Sequence, residues 1–427
     1  MTSSILRRAR VPVAGAAVLA LAGTAAQAVA KAPDRAVPAW TQSWGTAMQR
    51  PIAGDEDSGP NWSTQGFAGQ TLRQVVRLST GGARVRVRIS NLYGTRLLKV
   101  DAAAVGRAAS GAKVWPGSSV PLTFGGRPAP AVRPGAEAVS DPIAFPTAPL
   151  ERLAVTLRFS AATGPATFHR FSTQSAYLAQ GDHLKDATSE AFTKSTDSSY
   201  FVSGVDVAGG HGGGTVVAFG DSLIDGVGST HGADATLPDA IAERLASTSR
   251  PLGVVNAGIG GNRLRYDSAC SGDKATSRFV RDVLDRPGVR AVIVHLGAND
   301  IRVTPGDPCL RPGGPSTAQQ VIDAQKQLVG AARARRIRVV GTTILPMRSA
   351  LFPVWTPEVE KARVAINRWI RTSHAYDAVL DADRALADPA APDRPRPGYV
   401  FEDGLHPNDA GYQAIARALD LSALTDR

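Results

Sequence analysis

Apolar residues recur along this chain with two different periods. Between Trp40 and about Val207 they alternate with polar residues, most strictly in Arg84-Val85-Arg86-Val87-Arg88-Ile89 and again in Leu153-Ala154-Val155-Thr156-Leu157-Arg158-Phe159. A period of two buries one face of a strand and leaves the other face polar. Val75-Val76-Arg77-Leu78 lies just before the first run, across Gly81-Gly82, and this arrangement predicts a hairpin. Short strands separated by Gly and Pro turns predict a β-sandwich or jelly roll. The arginines of the 84–88 stripe read as a solvated strand face rather than as a site for an acidic ligand.

The run Gly209-Gly210-His211-Gly212-Gly213-Gly214 breaks this pattern and reads as a linker or hinge, because it has nothing to pack into a core. Beyond it, short apolar runs alternate with helical segments. Thr215 to Phe219, Val254-Val255, Ala291 to Leu296, Val339 to Thr343 and Ala378 to Leu380 are the predicted buried strands. Helices are predicted around Pro238 to Ala246, Thr317 to Arg335, Pro357 to Arg371 and Asn408 to Leu419. Such an order predicts a parallel sheet covered on both faces, with ligands beyond the carboxyl ends of its strands. The expected division is therefore a β-rich domain over 40–207, a linker over 208–214 and an α/β domain over 215–427. No internal repeat of fixed period is present.

The first residues have a different character. Arg7, Arg8 and Arg10 precede a short apolar run from Val11 to Gly23, and Ala26-Gln27-Ala28 and Ala28-Val29-Ala30 fit a signal peptidase site. Residues 1–30 are expected to be a signal peptide rather than a membrane anchor, since the run is shorter than a span of about 20 residues. Export to an oxidising compartment makes Cys270 and Cys309, the two cysteines of the chain, a candidate disulfide, with two buried thiols as the alternative. Two cysteines are too few for a thiolate zinc site. At 43% hydrophobic and 20% charged residues the composition is that of a globular protein, which excludes a disordered chain. The net charge of +11 is spread along the sequence rather than clustered with aromatics, so a nucleic-acid partner is not expected.

The candidate chemistry lies at the strand ends. The first α/β strand runs into Gly220-Asp221-Ser222, which can present a serine hydroxyl at the sheet's carboxyl edge. A serine needs a base to take its proton. Glu402-Asp403-Gly404-Leu405-His406 supplies one near the last helix, where a spacing of three lets the Asp403 carboxylate hold one imidazole nitrogen of His406 and leave the other free. Asn256-Ala257-Gly258-Ile259-Gly260-Gly261-Asn262 and Gly297-Ala298-Asn299-Asp300 follow two other strands. Their backbone N–H groups and asparagine amides are suitable donors to the oxyanion of a tetrahedral intermediate.

These four segments, in this order, resemble the four blocks of the SGNH hydrolases, also called the GDSL esterase/lipase family. The resemblance covers roughly half the chain and implies an SGNH-type three-layer α/β/α fold with a five-stranded parallel sheet. It implies Ser222 as nucleophile, with Asp403 and His406 completing a catalytic triad. It also implies an oxyanion hole formed by the N–H groups of Ser222 and Gly261, with Gly260 one residue away as the alternative, and by the Asn299 amide. Asp221 and Asp300 are expected to hold loops rather than to do chemistry. Trp44-Gly45-Thr46 and the Arg73 to Tyr93 stretch look like the amino-terminal extension of larger secreted members, some of them similar to acetylesterases of xylan-degrading systems.

The expected activity is a metal-free and cofactor-free ester hydrolysis through an acyl-enzyme. Short acyl groups on plant polysaccharide are the first expected substrate, and lipids or lysophospholipids the second. An acyltransferase, or a carbohydrate-binding protein with a silent hydrolase half, are the rival readings.

Overall fold

The computed structural model describes residues 40–54, 59–210, 212–302, 313–349 and 354–425. The expected signal peptide and Cys309 lie outside the described residues. The described residues belong to one compact unit.

The alternating segments become strands β1 (Thr41–Gly45), β2 (Gln70–Arg77), β3 (Gly82–Ser90), β4 (Ala102–Arg107), β5 (Arg152–Phe159), β6 (Ala176–Gln180) and β7 (Val202–Ala208). β1, β7 and β3 adjoin in one antiparallel sheet, and β6, β2, β5 and β4 adjoin in another. Leu72 and Val76 of β2, Val85, Val87 and Ile89 of β3, Leu157 of β5 and Val205 of β7 fill the core between them. This is a β-sandwich.

The hairpin expected across Gly81-Gly82 does not form, since β2 and β3 belong to opposite sheets. A two-residue hairpin needs positive φ in its turn, and neither Gly81 nor Gly82 has it. Instead the chain arches over the edge of the core. Leu78 is buried, and the Ser79 N–H donates to the Ser43 carbonyl of β1 at 2.8 Å. A Cβ on Gly81 would lie 2.2 Å from the Thr147 carbonyl oxygen, so the glycine serves close packing rather than a turn. The arginine stripe also departs from a plain solvated face. Arg86 and Arg88 pair with the fully buried Asp206 of β7 at 2.7 and 2.9 Å, and Arg86 lies over the Trp40 ring.

The second half is built on β8 (Thr215–Gly220), β9 (Gly253–Gly258), β10 (Val289–His295), β11 (Arg338–Thr342) and β12 (Ala378–Leu380), which lie on the five apolar runs. They pair in parallel in the order β9-β8-β10-β11-β12. Val217 and Phe219 of β8 enter one core layer and Val216 and Ala218 the other, because successive side chains point to opposite faces.

Helices cover both faces. Among them are α1 (Ser222–Asp225), α2 (Leu237–Ala246), α3 (Ala275–Phe279, continued by a π turn over Val280–Leu284), α4 (Ala298–Ile301), α5 (Ala318–Ala334), α6 (Pro357–Thr372) and α7 (Asp409–Ala418). Side-chain caps fix their starts: Thr236 and Thr317 close capping boxes with Asp239 and Gln320, and Asn408 caps α7. The result is the three-layer α/β/α arrangement of the SGNH fold, with the β-rich half before it. No helix among the described residues is long and apolar enough to cross a membrane.

The strand order reverses direction between β8 and β10, and such a switch point opens a crevice at the carboxyl edge. Ser222 follows β8 and Asn299 follows β10, so both stand at that crevice.

Candidate active site

β8 ends at Gly220, which sits so close to β10 that a Cβ there would lie 2.5 Å from the His295 carbonyl oxygen. Asp221 then caps α1 by accepting from the Leu223 N–H. Ser222 is therefore the first residue of a helical turn, where a backbone N–H has no intrahelical acceptor.

Opposite it, the 403–406 loop is folded around one carboxylate. Asp403 Oδ1 accepts the N–H groups of Leu405 and His406 at 2.9 and 3.0 Å, and Asp403 Oδ2 lies 2.5 Å from Nδ1 of His406. Nε2 of His406 lies 2.8 Å from Oγ of Ser222. With Nδ1–H donating to the carboxylate, Nε2 keeps its lone pair for the serine proton. Burial alone would raise the Asp403 carboxyl, but the hydrogen bond from His406, with the two backbone N–H groups, outweighs it and holds it below its ordinary range. The three residues singled out in the sequence thus meet in one hydrogen-bonded line.

The oxyanion-donor candidates lie around them. Asn299 shares a small cavity with Ser222 and His406, walled by Leu223, Ile344, Leu345, Met347 and Leu405. One Nδ2 hydrogen of Asn299 goes to the Asn262 carbonyl at 3.1 Å, and a longer 3.5 Å contact leads to Asp221 Oδ2. Arg302 donates to Asn299 Oδ1 at 3.1 and 2.5 Å, which settles which way the amide faces.

Gly260 and Gly261 form the middle of a turn closed by the Asn262 N–H on the Ile259 carbonyl at 3.0 Å. Gly261 has φ +73°, as the third residue of a type II turn requires, and a Cβ there would lie 2.4 Å from Ser271 Oγ. The Gly260 N–H is already taken by Asp225 Oδ2 at 2.6 Å. No protein acceptor among the described residues takes the Gly261 N–H. Of the two glycines left open by the sequence, Gly261 therefore has the uncommitted donor, although it stands outside the wall of the cavity.

Asp300 accepts the N–H groups of Leu264 and Arg265 and so ties the turn after β10 to the loop that follows Gly261. Burial pushes its carboxyl up to about 6, against the pull of those N–H groups and of Arg263.

Several supporting residues escape the sequence patterns. His295, at the end of β10, has Nδ1 2.7 Å from Asp221 Oδ1, and its buried Nε2 has no hydrogen-bond partner among the described residues. Arg278 of α3 is fully buried and donates to the carbonyls of Gly220 and Ala257, to Asn262 Oδ1 and to Asp282. It holds the ends of β8 and β9 together beneath the site. Its signal was present as an Arg-x-x-x-Asp pair, but such a spacing ordinarily marks an exposed helix face. Cys270 lies in the loop after Gly261, and its carbonyl accepts from Gln49 Nε2 at 3.4 Å.

Residues 218–414 match the family of GDSL-like lipases and acylhydrolases. No curated protein matches the chain. Among solved structures, the chain is similar to a GDSL-like lipase from Bacteroides thetaiotaomicron, at 18% identity over 49% of this chain and 87% of that one, with a TM-score of 0.36. It is similar to a carbohydrate acetylesterase from Sinorhizobium meliloti, at 16% identity over 48% and 95% of the two chains and a TM-score of 0.35. It is also similar to a carbohydrate esterase family 2 enzyme with a carbohydrate-binding domain from Corynascus thermopiles (Myceliophthora fergusii), at 16% identity over 85% and 96%, with a TM-score of 0.37.

Proposed function

We propose, from the premise that residues 218–414 are a GDSL-like lipase/acylhydrolase domain, that the chain is a secreted serine ester hydrolase releasing short acyl groups through a covalent intermediate on Ser222. The observation that carries this reading is the line Ser222–His406–Asp403, with contacts of 2.8 and 2.5 Å.

The Ser222 oxygen attacks the ester carbonyl as its proton passes to Nε2 of His406. Asp403 stabilises the imidazolium that results. The carbonyl oxygen becomes an oxyanion, received by the N–H groups of Ser222 and Gly261 and by the Asn299 amide hydrogen that has only its 3.5 Å contact. The carbon–alkoxy bond then breaks, and the alcohol leaves with the proton from His406. Water, deprotonated by the same imidazole, attacks the acyl-enzyme, releases the acid and restores Ser222.

A small cavity walled by Leu223, Ile344, Leu345 and Met347 suits a short apolar acyl group. With the additional β-rich half, acetyl esters of plant polysaccharide are the first proposed substrate class, and lipid esters the second. Secretion is inferred from the basic, apolar and small-residue order of residues 1–30.

A fluorophosphonate probe, with hydrolysis of acetylated xylan, phospholipid and aryl esters of graded acyl length, tests the reading. Labelling of Ser222 and a preference for acetyl are expected. An unlabelled serine, or turnover equal to that of Ser222→Ala, overturns it.

A further inference from the structure

We propose that His169, contributed by the β-rich half, is a positioning residue for the oxyanion side of the site: as an imidazolium it holds Asp225, and Asp225 in turn fixes the turn that carries Gly261. This rests on the serine hydrolase reading above and gives the β-rich half a part in it.

His169 lies in the short strand Phe168–His169 and is 4% exposed. Its Nδ1 is 2.9 Å from the Ala47 carbonyl oxygen. Its Nε2 is 2.9 Å from Asp225 Oδ1 and 3.1 Å from the Phe171 carbonyl oxygen. Every one of these partners can only accept. A neutral imidazole has a single N–H, and it would leave a lone pair facing an oxygen at the other nitrogen, whereas an imidazolium donates on both sides.

The carboxylate it meets is equally committed. Asp225 is the last residue of α1, the turn that Ser222 begins, and it is 2% exposed. Its second oxygen accepts the Gly260 N–H at 2.6 Å, and its backbone carbonyl accepts from Asn256 Nδ2 at 3.1 Å. The ring of Phe171, two residues beyond His169, lies against the same turn, where a Cβ on Gly260 would be 3.2 Å from it. Nucleophile turn, oxyanion turn and β-rich half therefore meet on one buried charge pair. Without its cation the buried Asp225 carboxylate would bear the full cost of its burial, and Gly260 would lose the acceptor that fixes the turn.

The protonation of the pair follows from its surroundings. Burial alone would lower the His169 imidazole, but the charge and hydrogen bond of Asp225, with the Ala47 and Phe171 carbonyls, outweigh it and raise it above its ordinary value. Asp225 is the charged side chain in contact with it. The neighbouring Arg170 has its guanidinium over the Phe171 ring at 4.8 Å. Tyr412, near Asp225, is a phenol held protonated by burial, donating to the Val227 carbonyl at 2.6 Å. A raised histidine is charged below its folded value, so the support it lends is lost as pH rises through that value.

Two measurements on the full chain test this. In ¹⁵N-histidine spectra, with the His169 signals assigned by their loss in His169→Gln, both ring nitrogens are expected to be protonated at pH 7.5; a neutral tautomer there overturns the proposal. In acetyl-ester kinetics, His169→Ala is expected to lower kcat about 10- to 100-fold, the scale of a small misplacement of reacting groups, with KM nearly unchanged. His169→Gln, which keeps one donor, is expected to recover part of the loss and to abolish the wild-type decline of kcat on the alkaline side. A folded His169→Ala enzyme with wild-type kcat and an unaltered alkaline limb also overturns it. A wild type no faster than Ser222→Ala defeats the ester-hydrolase reading instead, and the spectra still decide the charge pair.

Discussion

Nε2 of His406 and Oγ of Ser222 stand 2.8 Å apart although 184 positions separate them in the chain. The contact exists because β8 and the loop before α7 end on the same rim of the sheet. Asp403 sets which imidazole nitrogen faces the serine, so its replacement by Asn, which can offer an N–H to Nδ1 and reverse the tautomer, is expected to lower kcat about 10³- to 10⁴-fold with KM little altered. Ser222→Ala is expected to lose more. Steady-state kinetics on an aryl acetate, with circular dichroism to show an intact fold, check both.

Asn299 and Gly261 are expected to fail in different ways when replaced. Asn299→Ala removes the oxyanion donor together with the amide's bonds to the Asn262 carbonyl and Arg302, but adds no backbone strain, so kcat should fall about 10²- to 10³-fold while KM holds and stability falls less than in Gly261→Ala. Gly261→Ala adds a Cβ 2.4 Å from Ser271 Oγ at φ +73°. That position is strained for any side chain, and both thermal stability and kcat should drop. Melting temperatures measured beside the kinetics separate the two cases; equal loss of stability in both variants would remove the distinction.

The parallel sheet could be read from the sequence because its strands are buried on both faces and stand out as continuous apolar runs. Ser222 and Asn299 could be read because each lies in a short motif just beyond a strand, and Asp403 and His406 because they stand three apart in a glycine-containing loop before the last long helix. The helix over residues 275–284 could not, since Arg278 and Asp282 point inward beside Phe279 and Val283 and interrupt the apolar stripe. The pairing of β2 with β3 was misread for a related reason. Alternation says which face of a strand is buried, but not whether its neighbour in sequence lies beside it or across the core. The contact of His169 with Asp225 was out of reach on the same ground, because no pattern local to either residue names its partner.

Cys270 and Cys309 are proposed to be linked, from their number and the expected export of the chain. The link would close the segment that follows the Gly261 turn and contains Asn299. Its removal by Cys270→Ser is expected to cost roughly 4 kcal/mol of stability on the chain-entropy model, less any strain. Peptide mass spectrometry without reduction should show the two cysteine peptides joined; two thiols open to alkylation would end the idea.

Arg278 and Asp282, both fully buried and 3.1 Å apart, make the stability of the site depend on acid. Burial alone would raise the Asp282 carboxyl, but the guanidiniums of Arg281, Arg278 and Arg286 outweigh it and hold it at about 2, below its ordinary 3.8. A carboxyl depressed in the folded chain lends its full stability above the unfolded value and loses it as pH falls toward the folded one. The wild type should therefore exceed Asp282→Asn in stability at pH 5 and above, and the gap should narrow by about 2 kcal/mol between pH 4 and pH 2. Arg278→Met should be costly at pH 7, by about 3–5 kcal/mol, because it breaks a buried pair and strips the Gly220 and Ala257 carbonyls of their donor. Urea denaturation of the three proteins across this range measures the difference directly. A gap that stays constant from pH 5 to pH 2 would mean that Asp282 does not titrate in this window and that the guanidiniums beneath the site are held by other means.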